Sequence, residues 1–162
     1  MIKYSAVKLK KLVLVKPREH TSNISYVSKE SKLLFVSTSK IHGKGVFSRA
    51  NIPEGKFIIE YTGEKILRKE GFTRDRLQKS KGKFYVFALN SKWCIDGATG
   101  GDARFINHSC NPNCTYQRKN GKILILALRK INTGEELTYN YDDSEKGSNI
   151  CNCGAKNCKG TM

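Results

Sequence analysis

Residues 104–114 read RFINHSCNPNC and place two hydrophobic residues, three Asn, a His, two Cys and a Pro in eleven positions. Neither the 3.6-residue repeat of an amphipathic helix nor the alternation of a half-buried strand fits this order. Such a density of polar and metal-capable side chains is typical of a binding site rather than of a packed core. This stretch therefore predicts a functional site, and the rest of the chain must indicate its chemistry.

The chain is strongly basic. Its 162 residues carry 30 Lys and Arg against 14 Asp and Glu, for a formal net charge of +16. This excess favours acidic surfaces, of which nucleic acid is the obvious example. A solvated lysine-rich face accounts for the same numbers, and no zinc-finger spacing or RNA-binding aromatic motif indicates sequence-specific readout. The length suits one domain with a small appendage.

The sequence shows no segment that is long and apolar enough to cross a bilayer. Lys8, Lys10 and Lys11 interrupt the apolar residues near the N-terminus, so the sequence shows no secretion signal. We therefore expect the six Cys to lie in a reducing compartment. There, metal binding is favoured over disulfide formation.

Short strand-like runs at close intervals, with one helical segment, predict a mostly β domain. Residues 64–80 carry a few apolar side chains among many charges, which indicates a short and largely exposed helix. Asn120-Gly121 lies between two strand-like runs and is the strongest hairpin signal in the chain. The other predicted strands cover residues 33–39, 57–61, 84–89, 92–98 and 134–143.

The composition divides the chain into three parts. Residues 1–32 are basic and are interpreted as an N-terminal appendage. The predicted strands begin directly after it, and residues 33–144 are interpreted as the main domain. Residues 145–162 form a tail rich in Cys.

The tail carries a C-x-C-x4-C pattern at Cys151, Cys153 and Cys158. Three thiolates do not complete a tetrahedral structural zinc site, because such a site needs four ligands. The residues alone leave the fourth ligand open, with Cys94, Cys110, Cys114 or a His as candidates. Free thiols on a mobile end are the competing interpretation. Zinc is favoured because it would fold a tail too short to bury its own core.

Three further patterns are weak when each is taken alone. The two glycines of HGKGVF, residues 42–47, suit close approach of a ligand, and they equally suit a plain turn. Asn107 and His108 precede Ser109 in a turn-like context, where a His is often structural. Tyr139 and Tyr141 would share one face of a strand, which is also how two core aromatic residues are spaced.

Taken together, these stretches resemble the SET-domain protein lysine methyltransferases, from about residue 33 to the C-terminus. The matching motifs occur in the order of that family, and the last resembles its post-SET motif. The resemblance is greatest to the trithorax-like branch that methylates histone H3. The motifs are IHGKGVF at 41–47, EYTGE at 60–64, RFINHSCNPNC at 104–114, GEELTYNYDD at 134–143 and CNCGAKNC at 151–158.

This resemblance implies a β-clip of small sheets in which the C-terminal strand threads under a preceding loop as a pseudoknot. It also implies one short helical insert and a zinc-binding post-SET tail. S-adenosylmethionine would be the cofactor. The residues implied to bind it are His42, Lys44, Tyr85, Asn107, His108 and Asn152.

The resemblance also assigns catalytic residues and the missing metal ligand. Tyr141 matches the active-site tyrosine of the family, Tyr139 matches a position that carries Tyr or Phe, and Tyr85 completes the pocket. Cys110 would be the fourth zinc ligand beside the three Cys of the tail. Cys94 and Cys114 would then be ordinary thiols.

The function implied is methyl transfer from S-adenosylmethionine to a lysine side chain of a protein, with a histone H3 tail as the favoured substrate. Action on chromatin implies the nucleus or chromosome, or those of a host cell if the source is a microbe or virus. Contact with nucleosomal DNA and activation by partner proteins are further expectations. The alternative is a zinc module that binds chromatin or nucleic acid and catalyses no methyl transfer.

Overall fold

A computed structural model describes residues 32–141 and 149–162 of the chain. The expected N-terminal appendage lies outside these ranges except for Lys32. The first residues of the expected tail, 145–148, also lie outside them. Among the described residues, no helix is both long enough and apolar enough to span a membrane.

The described chain forms ten short strands and one α-helix, which confirms a mostly β domain. Two short 3-10 turns cover Gly97–Thr99 and Asp102–Phe105. In chain order the elements are β1 (Leu34–Thr38), β2 (Lys44–Ser48), β3 (Phe57–Glu60), β4 (Glu64–Leu67), α1 (Arg68–Lys79), β5 (Val86–Ala88), β6 (Trp93–Asp96), β7 (Asn107–His108), β8 (Cys114–Lys119), β9 (Lys122–Ala127) and β10 (Thr138–Tyr139).

These strands form four small sheets. Three of them are antiparallel, with strand orders β1-β2, β3-β9-β8 and β4-β6-β5. The fourth is the parallel pair β7-β10. This pair brings the C-terminal strand beside the 104–114 stretch, as the expected pseudoknot requires.

The predicted elements are largely confirmed, but several differ in extent. The predicted strands over 84–89 and 92–98 are reduced to β5 and β6, and β2 and β7 were not among the predicted strands. The predicted helix over 64–80 begins only at Arg68, because residues 64–67 pair with β6 as a strand. The predicted last strand over 134–143 is reduced to β10, because only Thr138 and Tyr139 find a partner in β7. The hairpin at Asn120-Gly121 is present, with φ angles of 51° and 74°. Positive φ at both positions is the requirement of a type I′ turn.

The apolar core lies beneath the sheets that flank the β7-β10 pair. Its fully buried side chains come from strands and connecting segments that are distant in sequence, and they include Val46, Ile106, Ile123, Ile125, Ile131 and Leu137. Helix α1 contributes little to this core, since Phe72 and Leu77 on its surface are exposed. Gly71 is its one buried residue, and a Cβ at this position would come 2.8 Å from Cys94 Sγ. The absence of a side chain therefore lets the helix approach β6 closely.

Polar contacts, rather than apolar burial, hold α1 against the sheet. Arg74 pairs with Asp96 of β6 at 2.9 Å and with Glu64 of β4 at 2.6 Å. Gln78 donates to the same Asp96 carboxylate at 3.1 Å. Burial raises the pKa of the Asp96 carboxyl, but hydrogen bonds from Arg74, the N–H of Ala98 and Gln78 outweigh it and lower the pKa below its usual value.

We expect Asp96→Asn to destabilise the protein in a pH-dependent way. A carboxyl with a lowered pKa in the folded state stabilises that state above its unfolded pKa, ~3.9, and loses this effect as the pH falls through the folded pKa. The free energy of unfolding should therefore fall by about 1.5–3 kcal/mol at neutral pH. The difference from wild type should shrink below about pH 4. Urea unfolding between about pH 3 and pH 7 measures both.

Glu60→Gln is the matched control, because it removes a carboxylate that pairs with the exposed Lys122 at 2.9 Å. Exposed pairs contribute roughly 0–1 kcal/mol. A pH-independent loss for Asp96→Asn, equal to that of the control, would contradict the role given to Asp96.

Candidate active site and cysteine cluster

The parallel β7-β10 pair is the frame of the candidate site. Asn107 lies opposite Thr138 and His108 lies opposite Tyr139. The N–H of Ser109 extends the pair by donating to the carbonyl of Tyr139 at 3.2 Å. The 104–114 stretch and the Tyr-rich strand, 25 or more residues apart in the sequence, therefore lie side by side.

The side chain of Asn107 joins this frame to the β2 segment. Its Nδ2 donates to the carbonyls of Lys44 at 2.9 Å and His42 at 3.2 Å, and to Glu136 Oε1 at 2.9 Å. A Cβ at Gly45 would overlap the same Glu136 carboxylate. Gly45 therefore has a packing reason to be glycine: the carboxylate that anchors Asn107 occupies the space of its side chain.

Glu136 and Asn113 are anchors that sequence reasoning missed. Asn113 is 2% exposed, and its amide donates to Glu135 Oε1 and to the carbonyl of Glu136, both at 2.8 Å. Its Oδ1 accepts from the N–H of Thr138 at 2.8 Å. Both residues lie inside the quoted motifs, but nothing in their spacing indicates that they contact each other.

Tyr139 and Tyr141 lie together beneath the frame, with ring centroids 4.9 Å apart. The hydroxyl of Tyr141 donates to the carbonyl of Ile106 at 2.9 Å. Burial, and then the charge of neighbouring tyrosines, raises the pKa of both phenols well above its usual value. Both phenols therefore stay neutral near pH 7, so they can position a reactant but do not act as bases.

Two cavities meet at Tyr141. The first cavity lies between α1 and the aromatic side chains of Phe87, Tyr116 and Tyr139. The second cavity lies between the β1–β2 turn, the β7 segment and the tail, and has a volume of about 360 Å³, which is in the range of small-molecule sites. Both are lined by Lys79, Phe84 and Tyr141.

Most of the predicted cofactor-binding residues line the second cavity, namely His42, Asn107, His108 and Asn152. Lys44 does not, because its ammonium lies 5.3 Å from the ring centroid of Phe105. It contributes instead the carbonyl that Asn107 contacts. Tyr85 is half-buried and lines neither of the two cavities as the described residues define them. Its hydroxyl contributes to the raised pKa of Tyr141, so the two phenols lie within electrostatic range of each other.

Several lining residues of the second cavity were not predicted from the sequence. They come from the β1–β2 turn, the segment before β5 and the tail, and only Ile41 lies in a motif quoted from the sequence. They include Ile41, Phe84, Asn149, Ile150 and Met162. Asn149 differs from the others because its Nδ2 is buried and has no hydrogen-bond partner. It is the single side-chain nitrogen or oxygen in this state in the described part of the chain.

The four predicted metal ligands converge. The sulfur atoms of Cys110, Cys151, Cys153 and Cys158 all lie within 4.8 Å of one another, and we call this group the cysteine cluster. Cys110 Sγ and Cys151 Sγ are 3.9 Å apart. Thiolates ~2.3 Å from a tetrahedral zinc ion would have sulfurs about 3.8 Å apart, so the cluster has the donor set and size for zinc.

The thiols outside the cluster behave as expected for ordinary side chains. Cys94 and Cys114 are both buried, and among the described residues neither joins the cluster. Burial raises the pKa of the Cys114 thiol to about 12. In the cluster, burial raises the pKa of Cys153, but hydrogen bonds from backbone N–H groups and the neighbouring thiols outweigh it and lower the pKa to about 6. Burial, followed by hydrogen bonds with the neighbouring thiols, raises the pKa of Cys151 to about 12, so of these two thiols Cys153 is the one that favours the thiolate form.

His108 connects the cluster with the tyrosine strand. The N–H of Tyr141 can only donate, and it lies 3.1 Å from His108 Nδ1. In a neutral imidazole the proton is then on Nε2, which lies 3.4 Å from Cys110 Sγ and donates to it. Burial, followed by the charge of Lys159, lowers the pKa of His108 and favours this neutral form. The ring therefore orients a cluster ligand.

Comparison with known proteins agrees with this geometry. A model of the SET domain family matches residues 43–142. The chain is 39% identical over 138 residues to "Histone-lysine N-methyltransferase trr" of Drosophila melanogaster. The match covers 80% of this chain and 6% of that protein. The chain is 38% identical over 153 residues to "Histone-lysine N-methyltransferase, H3 lysine-4 specific" of Saccharomyces cerevisiae, covering 86% of this chain and 14% of the relative.

A third relative, "Histone-lysine N-methyltransferase 2D" of Homo sapiens, is 36% identical over 140 residues, covering 80% of this chain. The match spans 2% of that relative, so the chain corresponds to a small part of each of these proteins. The protein class defined by the fold and the match is the SET domain. This chain belongs to the SET domain family, as its motifs predict, and the three relatives are histone-lysine N-methyltransferases of the trithorax type.

We expect His108→Ala to weaken zinc binding although it removes no ligand. Loss of a group that hydrogen-bonds a metal ligand typically lowers metal affinity by about 10–100-fold. Competition with a chromogenic chelator measures this affinity, and Cys153→Ser, which removes a ligand, should lose the metal outright.

His42→Ala is the matched control, because His42 lines the same cavity as His108 and is not part of the cysteine cluster. It should bind zinc as wild type does. Equal zinc affinity for His108→Ala and His42→Ala would show that the Nε2 contact with Cys110 does not support the metal.

Proposed function

We propose that this chain is a protein-lysine N-methyltransferase that uses S-adenosylmethionine. The observation that carries the proposal is the meeting of two cavities at Tyr141. One has the mixed polar and apolar wall of a cofactor site, and the other is an aromatic cleft beside α1 that suits an extended lysine side chain. Methyl transfer between two bound molecules needs such an arrangement, because donor and acceptor must meet end to end.

The second cavity fits the cofactor on its own features. A buried donor without a partner, Asn149 Nδ2, indicates a polar ligand. His42, Asn107, His108 and Asn152 supply further polar groups in its wall. When bound, S-adenosylmethionine supplies a methyl group on a positively charged sulfur.

The aromatic walls of the first cavity prepare the acceptor. A lysine ammonium has no lone pair and an ordinary pKa of ~10.4, so the amine must lose a proton before it reacts. Phe84, Phe87, Tyr139 and Tyr141 exclude water and so lower the pKa of a lysine held between them. The proton leaves to solvent, since both tyrosine pKa values are raised and neither phenolate is available to take it.

Tyr141 orients the reacting groups. Its hydroxyl proton is directed to the carbonyl of Ile106, so the oxygen presents its lone pairs toward the junction of the cavities. These lone pairs can accept a hydrogen bond from the amine. They can also stabilise the partial positive charge that the methyl group carries in the transition state. The larger contribution is alignment, which reaches roughly 7–11 kcal/mol in model reactions. We assign Tyr139, which lines the first cavity, as a supporting catalytic residue, and Tyr85, which lines neither cavity, as a residue that acts through its electrostatic effect on Tyr141.

We propose that the cysteine cluster holds zinc and that the zinc keeps the tail in place. Ile150, Cys151, Asn152 and Cys153 line the second cavity. The same tail residues therefore hold the metal and close the cofactor site. In this proposal residues 33–144 form the SET domain and residues 145–162 the post-SET motif, following the basic segment 1–32.

The proposed substrate is a histone tail, with histone H3 favoured. Its support is that relatives of the chain, such as the Saccharomyces cerevisiae protein, are named as specific for lysine 4 of histone H3. Such a substrate implies the nucleus or chromosome. A histone tail is itself basic, so the net charge of +16 is assigned to contact with surrounding nucleosomal DNA. Activating partner proteins are part of the same proposal.

The test is incubation with labelled S-adenosylmethionine and whole nucleosomes, followed by mass-spectrometric mapping of the labelled lysine. We expect wild type to label a histone lysine. Tyr141→Phe should lower kcat by about 10²-fold or more, with little change in cofactor affinity, because it removes one oriented group at the reacting centre. Cofactor binding without any labelling would favour the alternative, a chromatin-binding module without turnover.

Tyr139→Phe tests the number of methyl groups added. Tyr139 is 5% exposed and its ring stacks on Phe87 with centroids 5.7 Å apart, so its hydroxyl occupies space beside the acceptor site. Its removal should let the enzyme add more methyl groups than wild type. Mass spectrometry of a methylated peptide measures this, and identical product distributions for the two proteins would refute it.

A further inference from the structure

The tail carries a polar group for which the fold provides no partner. Asn149 lines the second cavity, and its Nδ2 is buried and has no hydrogen-bond partner in the described chain. Leaving a buried donor unsatisfied is costly, and native proteins have few such groups. An orphaned donor in the wall of a ligand cavity therefore indicates an acceptor that arrives with the ligand.

The backbone holds Asn149 in position before any ligand binds. Its carbonyl accepts from the N–H of Met162 at 3.0 Å. Ile150 pairs with Thr161 in an antiparallel bridge, and the N–H of Cys151 donates to the carbonyl of Gly160 at 3.0 Å. The two ends of the tail thus form a short ribbon beside the cysteine cluster. Because this ribbon restrains Asn149, little order has to be gained when its amide meets an acceptor.

The surroundings of Asn149 indicate which part of a ligand it contacts. The reacting end of the cofactor must lie where the two cavities meet, near Phe84 and Tyr141. Asn149 lines only the second cavity, in whose wall Ile41, Ile150 and Met162 are apolar. These apolar side chains offer surface to the faces of a flat, uncharged heterocycle, and a neutral amide donor suits a ring nitrogen at the edge of such a ring.

We infer that Asn149 is a specificity-determining residue that donates a hydrogen bond to a ring nitrogen of the purine bound in the second cavity. This inference rests on the proposed function, because that function supplies an adenosyl ligand. Adenine offers ring nitrogens as acceptors beside a donating amino group, and an Asn amide is complementary to such a pair. The sequence motifs indicated Asn152 in this region and left Asn149 unassigned.

The first experiment measures the affinity of the zinc-loaded protein for S-adenosylhomocysteine by calorimetry, without any turnover. Asn149→Ala should bind roughly tenfold more weakly than wild type. Asn149→Asp should bind more weakly still, because it replaces the donor by a second acceptor facing a ring nitrogen. Asn157→Ala is the matched control: it lies in the same tail, is exposed and lines neither described cavity, so its affinity should equal that of wild type.

The second experiment identifies the contacted atom with deaza analogues of the ligand, each with one ring nitrogen replaced by C–H. With one of these analogues, wild type and Asn149→Ala should bind equally, because the acceptor is gone. A penalty that persists with every analogue, or no penalty with the parent ligand, would overturn the inference. Zinc content is measured alongside each affinity. A penalty that accompanies zinc loss would show a structural role only and would also overturn it.

The two proposals fail in different ways. If wild type does not bind S-adenosylhomocysteine, the proposed function loses its cofactor. If wild type binds it and all Asn149 variants bind equally well, the cofactor site stands and the role of Asn149 is wrong.

Discussion

The parallel pairing of β7 with β10 is the interaction on which the rest of the site depends. It consists of two residue pairs, Asn107 with Thr138 and His108 with Tyr139, so its ladder alone supplies few hydrogen bonds. Buried amide side chains reinforce it. Asn113 binds the backbone just before β10, at Glu136, and at its first residue, Thr138, while Asn107 ties β7 to Lys44 of β2 and to Glu136. The polarity of the 104–114 stretch is therefore a structural requirement as well as a functional one.

The same stretch supplies a wall of the second cavity and a ligand of the cysteine cluster. His108 makes this connection physically, because one ring nitrogen accepts from the backbone of Tyr141 and the other donates to Cys110. Cys110 in turn is the point where the tail meets the main domain. Two hydrogen bonds through His108 therefore link the cluster to the backbone of Tyr141.

Helix α1 relates differently to this centre. It forms a wall of the first cavity, yet it buries little apolar surface and depends on Arg74, Gln78 and the buried Asp96 for its position. Gln78 also accepts from the N–H of Tyr85, so the helix and the segment before β5 are positioned together. These polar contacts therefore position the wall that α1 contributes to the first cavity.

Local patterns in the sequence were sufficient for the class of fold and for much of the site. Asn120-Gly121 determined its hairpin, because only positive φ angles satisfy that turn. The spacing of the tail cysteines indicated a metal site, and the ordered motifs indicated the family and the residues that converge. The fourth metal ligand was open to the residues alone and came from the resemblance. The extent of the last strand was overestimated, because its length is decided by how much of β7 is available to pair with it.

Only the tertiary structure decided which side chains face the cavities. It placed Phe84 rather than Tyr85 at the junction and directed the Lys44 side chain away from the second cavity. It also left Asn149 Nδ2 buried without a partner. The physical reason is that residue type and spacing report on local backbone preference, whereas the direction of a side chain depends on strands and loops that meet from distant parts of the chain.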